Sequence, residues 1–190
     1  MINITLKDGS VKKYSEETSV ISVAKDISEG LARNVISANF NDKVVETNSM
    51  IHEDGKLEFY TWDNDEGKKA FWHSSSHVMA QSIQELFPGV KLTIGPAINS
   101  GFYYDVDLGN HKISESDFEK IETRMIEICR EKHDFKLRPV SKKEALEFYK
   151  QESNNYKIEL INDLNDGEIT FCDHSNFTDL CKGGHIPNTS

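Results

Sequence analysis

The chain has 190 residues, 37% of them hydrophobic and 28% charged, and this leaves room for one ordinary domain or two small ones. A formal charge of −10 excludes a protein that grips nucleic acid by bulk electrostatics, because phosphate binding draws on clustered Lys and Arg. No apolar run approaches the roughly 18 residues of a membrane helix, and Met1 to Gly9 lacks the basic and apolar regions of a secretory signal, so a water-soluble cytoplasmic protein is expected.

From the amino terminus, Ile2, Ile4 and Leu6 alternate with polar residues, Lys7 to Ser10 supply a turn, and Val11 to Tyr14 return as a second strand. Val20, Val23, Ala24 and Ile27 follow at helical spacing, with Ser19 as cap and Gly30 as stop. Val35 to Phe40, Lys43 to Val45 and Leu57 to Thr61 are short β-rich runs. Strand, strand, helix, then strands is the order of a ubiquitin-like β-grasp, and the polar stretch Asp63 to Gly67 ends it, so residues 1–62 are expected to form one domain and 63–190 a second.

The second domain opens with a long helix from Asp65 or Glu66 to Leu86, stopped by Pro88-Gly89. Lys91 to Gly95 and Gly101 to Val106 read as strands. Ser116-Asp117-Phe118-Glu119 and Ser141-Lys142-Lys143-Glu144 have the spacing of capping boxes, and Phe118, Ile121, Met125 and Ile128 form one apolar stripe. Phe135 to Val140, Tyr156 to Ile161 and Ile169 to Phe171 read as short strands, with Phe177 to Pro187 as a strand end and glycine-containing loop. The expected class is α+β throughout.

Chemistry concentrates at two places. His73 and His77 are four apart on the long helix, so their imidazoles leave one face and can converge on a common atom. Cys181-Lys182-Gly183-Gly184-His185 adds a thiol and an imidazole around a flexible double glycine. Three imidazoles and a thiolate form a tetrahedral zinc set; without metal, the same groups can position a water and share its proton. Spacing alone leaves both uses open, as it does a buried thiol and a loop histidine with purely structural roles. Cys129 and Cys172 read as structural, three sparse cysteines imply no disulfide, and His52, His111, His133 and His174 read as surface residues. The pairs Lys12-Lys13, Lys68-Lys69 and Lys142-Lys143 read as solvated surface.

His73-Ser74-Ser75-Ser76-His77 with Cys181-x-x-x-His185 resembles the editing signature shared by threonyl- and alanyl-tRNA synthetases. Gly95-Pro96, Gly101-Phe102-Tyr103-Tyr104-Asp105, Tyr156-Lys157 and Asp179 to Asn188 are similar, in order and spacing, to the threonyl family's editing domain, of the type called the second additional domain. The leading domain resembles that family's TGS module.

The resemblance implies hydrolysis of seryl-tRNA mischarged on the threonine tRNA, with His73, His77, Lys157, Asp179, Cys181 and His185 as catalytic residues and Tyr104 as a substrate-binding residue. It implies no metal at this site, and it implies ATP, Mg and a zinc only in a catalytic domain beyond Ser190. The partner implied is the acceptor end of tRNA for threonine, with no membrane; the family's homodimer would form through domains outside these residues, which alone are expected to be monomeric. The editing domain is expected to be truncated at its carboxyl-terminal end, and no stretch resembles the ATP-binding motifs of class II synthetases. Gly184 stands where many family members have proline. Two other readings use the same residues: a zinc-dependent alanyl-type hydrolase acting in trans, and a non-catalytic RNA- or protein-binding module.

Overall fold

A computed structural model describes all 190 residues, which divide into two compact units: residues 1–71 with 183–187, and residues 72–182 with 188–190. No helix is long and apolar enough to cross a membrane.

The first unit begins with β1 (Ile2–Leu6) and β2 (Val11–Tyr14), an antiparallel hairpin in which Ile2 faces Tyr14. After β3 (Thr18–Ser19), the helix α1 (Val20–Ile27) is capped by Ser19, whose side chain accepts from Ser22 N. Gly30 does not stop this helix. The chain breaks at Ser28, which turns extended and caps a second short helix, α2 (Glu29–Asn34), with Gly30 inside it. The strands β4 (Ser37–Phe40), β5 (Lys43–Val45), β6 (Met50–Ile51) and β7 (Gly55–Tyr60) complete the unit.

Its five-stranded sheet has the order β2-β1-β7-β4-β5, with β1 and β7 parallel and the other pairs antiparallel. The period-two pattern of β1 sends Ile2 and Ile4 inward to meet Val20 and Val23 of α1, with Ala38, Ile51 and Leu57 closing the core. Each Val, Leu or Ile side chain among them, fully buried, contributes about 1.5–3 kcal/mol. This is a β-grasp: one helix covering one mixed sheet.

A long helix, α3 (Asp65–Leu86), follows, with Asp65 and Glu66 in its first turn. The second unit continues with β8 (Lys91–Leu92), β9 (Ala97–Ile98), β10 (Gly101–Phe102) and β11 (Val106–Asp107), in which β9 pairs with β10 and β8 with β11. Then come α4 (Glu115–Glu131), β12 (Lys136–Pro139), α5 (Lys142–Gln151), α6 (Asn155–Asn162), β13 (Thr170–His174) and β14 (Phe177–Leu180). An antiparallel sheet β12-β13-β14 packs Phe171 and Ile169 against Ala145 and Tyr149 of α5 and Ile161 of α6.

Four expectations from sequence are corrected here. Tyr156 to Ile161 is helical: Asn154 caps it by accepting from Lys157 N, and the inward residues are Lys157 and Ile161, whereas Tyr156 and Leu160 of the supposed alternation are exposed. The capping interactions of α4 lie two residues earlier, with the Asp117 carboxylate accepting from Ser114 N at 3.1 Å and from Ser114 Oγ at 2.9 Å. Phe118 is 53% exposed, so the stripe on α4 buries Ile121 and Ile128 without it. His174 is not a surface residue: it ends β13 facing inward, 2% exposed, with its ring centroid 4.7 Å from that of Phe135 and 5.0 Å from that of Phe177.

Candidate active site

The inward face of α3 is unusually polar, with Ser74, Ser76, His77, Gln81 and Ser82 all buried. Buried polar groups need partners. Ser76 Oγ is 2.7 Å from the carbonyl oxygen of His73 and 2.8 Å from that of Gly95, tying the helix to the loop after β8. The four-residue spacing then stacks His73 and His77 so that their Nε2 atoms are 3.2 Å apart. Cys181 Sγ lies 3.4 Å from His73 Nε2, making a triangle of two imidazoles and a thiol. Their ligand atoms fall within 4.8 Å of one another, and the N/N/S donor type suits zinc.

Beside this triangle sits an ion pair. The alternation of β14 turns Phe177 and Asp179 inward, and Asp179 Oδ1 is 2.6 Å from Lys157 Nζ, the side chains being 5% and 2% exposed. Tyr104 Oη donates to Asp179 Oδ2 in a short hydrogen bond. Tyr149 Oη donates to Oδ1 at 3.3 Å and accepts from Leu180 N at 2.8 Å. His77 Nδ1 is 3.9 Å from Asp179 Oδ2, which connects the pair to the histidines. Burial, reinforced by the negative charge of Asp179, pushes both the Tyr104 and Tyr149 phenols well above their ordinary value of 10. Both are therefore donors at neutral pH.

Local structure explains these positions. Asn154 caps α6 and also donates through Nδ2 to Leu92 O at 2.8 Å, so the turn that carries Lys157 is anchored to β8. Gly95 has no side chain to offer, and a Cβ there would run into the Tyr104 ring. Cys181 is held at both backbone polar groups by Thr170, whose carbonyl accepts from Cys181 N at 3.1 Å and whose hydroxyl donates to Cys181 O.

His73, His77, Tyr104, Lys157, Asp179 and Cys181 all line one cavity of about 450 Å³, with Ile94, Pro96, Leu160 and Leu164 as apolar wall. His185 lies on the segment grouped with the β-grasp unit, fully buried, with Nδ1 3.0 Å from Glu46 Oε1. The sequence reading missed Tyr149, Ser76, Gly95 and Glu46 as partners of the site residues. Tyr149 on an amphipathic helix reads as core, Ser76 and Gly95 stand inside quoted motifs that do not say what they bond, and nothing local marks Glu46.

Comparison with known proteins adds the family. Residues 2–61 match the TGS domain. The whole chain is 63% identical over 189 residues to a threonine–tRNA ligase of Flavobacterium psychrophilum and 63% over 189 residues to that of Flavobacterium johnsoniae, covering 29% of each. It is 46% identical over 190 residues to the threonine–tRNA ligase of Clostridioides difficile, covering 30% of it. The fold and the domain match define an α+β protein with a leading TGS domain. Over its full length the chain corresponds to the amino-terminal region of bacterial threonine–tRNA ligases, and it spans about 29% of the length of the curated relatives it matches.

Proposed function

We propose that residues 63–190 belong to an editing domain that hydrolyses the ester of serine wrongly attached to the tRNA for threonine, in a cytoplasmic enzyme whose ATP- and Mg-dependent ligase site, and zinc, reside in other domains. Residues 1–62 are the TGS domain of that enzyme. The observation that carries the reading is the convergence of an imidazole pair, a thiol and a Lys–Asp pair on one cavity of about 450 Å³ with an apolar wall.

The need for such a site is physical. Threonine and serine differ by a methyl, and a methyl-sized difference is worth only about 1–3 kcal/mol, so a second pocket must remove the smaller product. In the proposed reaction a water oxygen adds to the ester carbonyl carbon while an imidazole, His73 or His185, takes its proton. The Lys157 ammonium offsets the charge developing on the carbonyl oxygen. The bond to the ribose oxygen then breaks, that oxygen recovers the proton, and free serine and uncharged tRNA leave. Asp179 receives the substrate's ammonium at Oδ2, which keeps a lone pair beyond the one taken by Tyr104, whereas Oδ1 already accepts from Lys157, Tyr149 and Leu180 N. Tyr104 fixes the carboxylate, and His77 and Cys181 line the wall that excludes the extra methyl. No metal is required in this scheme.

The tRNA acceptor end is the partner; with a formal charge of −10 the chain offers few phosphate contacts and binds it weakly, and the binding that local Lys and Arg contacts give falls as salt rises. The test is deacylation of seryl- against threonyl-tRNA by the full chain and by a longer one, with a His73→Ala/His77→Ala control. Selective loss of serine that the control abolishes supports the reading, and inactivity of both chains overturns it. A second reading, a zinc-dependent hydrolase, is favoured by the N/N/S triangle within 4.8 Å. Stoichiometric zinc together with loss of activity on chelation would select it.

A further inference from the structure

Glu46 follows β5 in the β-grasp unit, and the hydrolysis proposed above gives it no role. Yet its carboxylate is the focus of three donors from the segment 183–187 of the same unit. Gly184 N donates to Oε1 at 3.1 Å, His185 N donates to Oε2 at 3.2 Å, and His185 Nδ1 lies 3.0 Å from Oε1. Positive φ at Gly183 (89°) and Gly184 (86°) shapes the backbone that delivers these amides. The His185 side chain is fully buried and that of Glu46 is 13% exposed, so these bonds are made largely out of water.

An ionised carboxylate can only accept. The Nδ1 atom of His185 must therefore carry the proton, and in the neutral ring Nε2 is then the basic nitrogen. We propose that Glu46 is a positioning residue for His185: it locks the imidazole in the Nδ1–H tautomer and fixes its orientation, so that Nε2 is the nitrogen presented for proton transfer. A residue of the TGS domain thus sets the protonation geometry of a residue assigned to editing. The use of Nε2 in hydrolysis rests on the function proposed above; the tautomer does not.

Long-range proton–nitrogen spectra of the chain labelled with 15N-histidine, with His185→Asn to assign the ring, report the tautomer directly. The expected wild-type pattern is a protonated Nδ1 and an unprotonated Nε2, with Glu46→Gln shifting the ring to a mixture of tautomers. An Nε2–H ring in the wild type, or an unchanged pattern in Glu46→Gln, overturns the proposal; if that variant does not fold, the wild-type spectrum alone decides. In a chain that deacylates seryl-tRNA, Glu46→Gln should lower kcat by about 10- to 100-fold with KM little changed. An unchanged kcat there overturns the positioning role, whereas a wild type without deacylase activity removes the hydrolytic reading and leaves the tautomer result standing.

Discussion

Lys157 and Asp179 form a 2.6 Å ion pair in which neither side chain is more than 5% exposed. Removing one partner strands the other charge, so Lys157→Met and Asp179→Leu should each destabilise the second unit by about 3–5 kcal/mol. The double variant should recover most of that loss in urea denaturation, because two buried charges are replaced by apolar groups. Deacylation should not recover. A double variant as unstable as the singles would show that the pair is not the main source of the penalty.

The two phenols that bond Asp179 make an alkaline prediction. Their folded pKa values lie well above 10, owing first to burial and then to the Asp179 charge, so the stabilisation they bring is complete below the unfolded value near 10 and is lost as pH rises through the folded values. Spectrophotometric titration should show Tyr104 and Tyr149 ionising only as the protein unfolds. Tyr104→Phe and Tyr149→Phe should each remove amplitude from that late step and not from the earlier ones.

At the start of α4, Asp117→Ala should cost about 1 kcal/mol, because Asp117 accepts from both the backbone and the side chain of Ser114. Glu119→Ala should be neutral within about 0.5 kcal/mol. Thermal melts of the two variants distinguish this cap from the one suggested by the Ser116–Glu119 spacing.

Gly95→Ala should lower deacylation by displacing the Tyr104 ring from its bond to Asp179, and should destabilise by about 1–3 kcal/mol, as overpacking does. Tyr104→Phe, which keeps the ring and loses the bond, separates the two effects: an activity loss in Gly95→Ala alone would assign the defect to packing.

The legible parts of this protein were those governed by local period. The alternation of Ile2, Ile4 and Leu6 and the three-and-four spacing of Val20, Val23 and Ala24 are one-element properties, and the β-grasp followed from them. His73 and His77 were visible as a pair for the same reason. The helix α6 was misread because Tyr156, Ile158 and Leu160 alternate like a strand, while the deciding bond, from Lys157 N to the Asn154 side chain, is a tertiary-supported cap. His174 was misread because Asp173 and Ser175 flank it with polarity, yet strand pairing turns it inward. Glu46 and Tyr149 reach their partners across 139 and 30 residues, distances over which no sequence period reports.

Proline at position 184 would have to hold φ near −65°, far from the 86° found here, and it would have no N–H to offer Glu46. A Gly-Pro loop would consequently be a different backbone from the Gly-Gly loop of this chain, not another spelling of it. A chimaera that transplants one version into the other's framework should misdirect the residue that follows it, so the loop and the acidic residue it wraps are best exchanged as a single cassette.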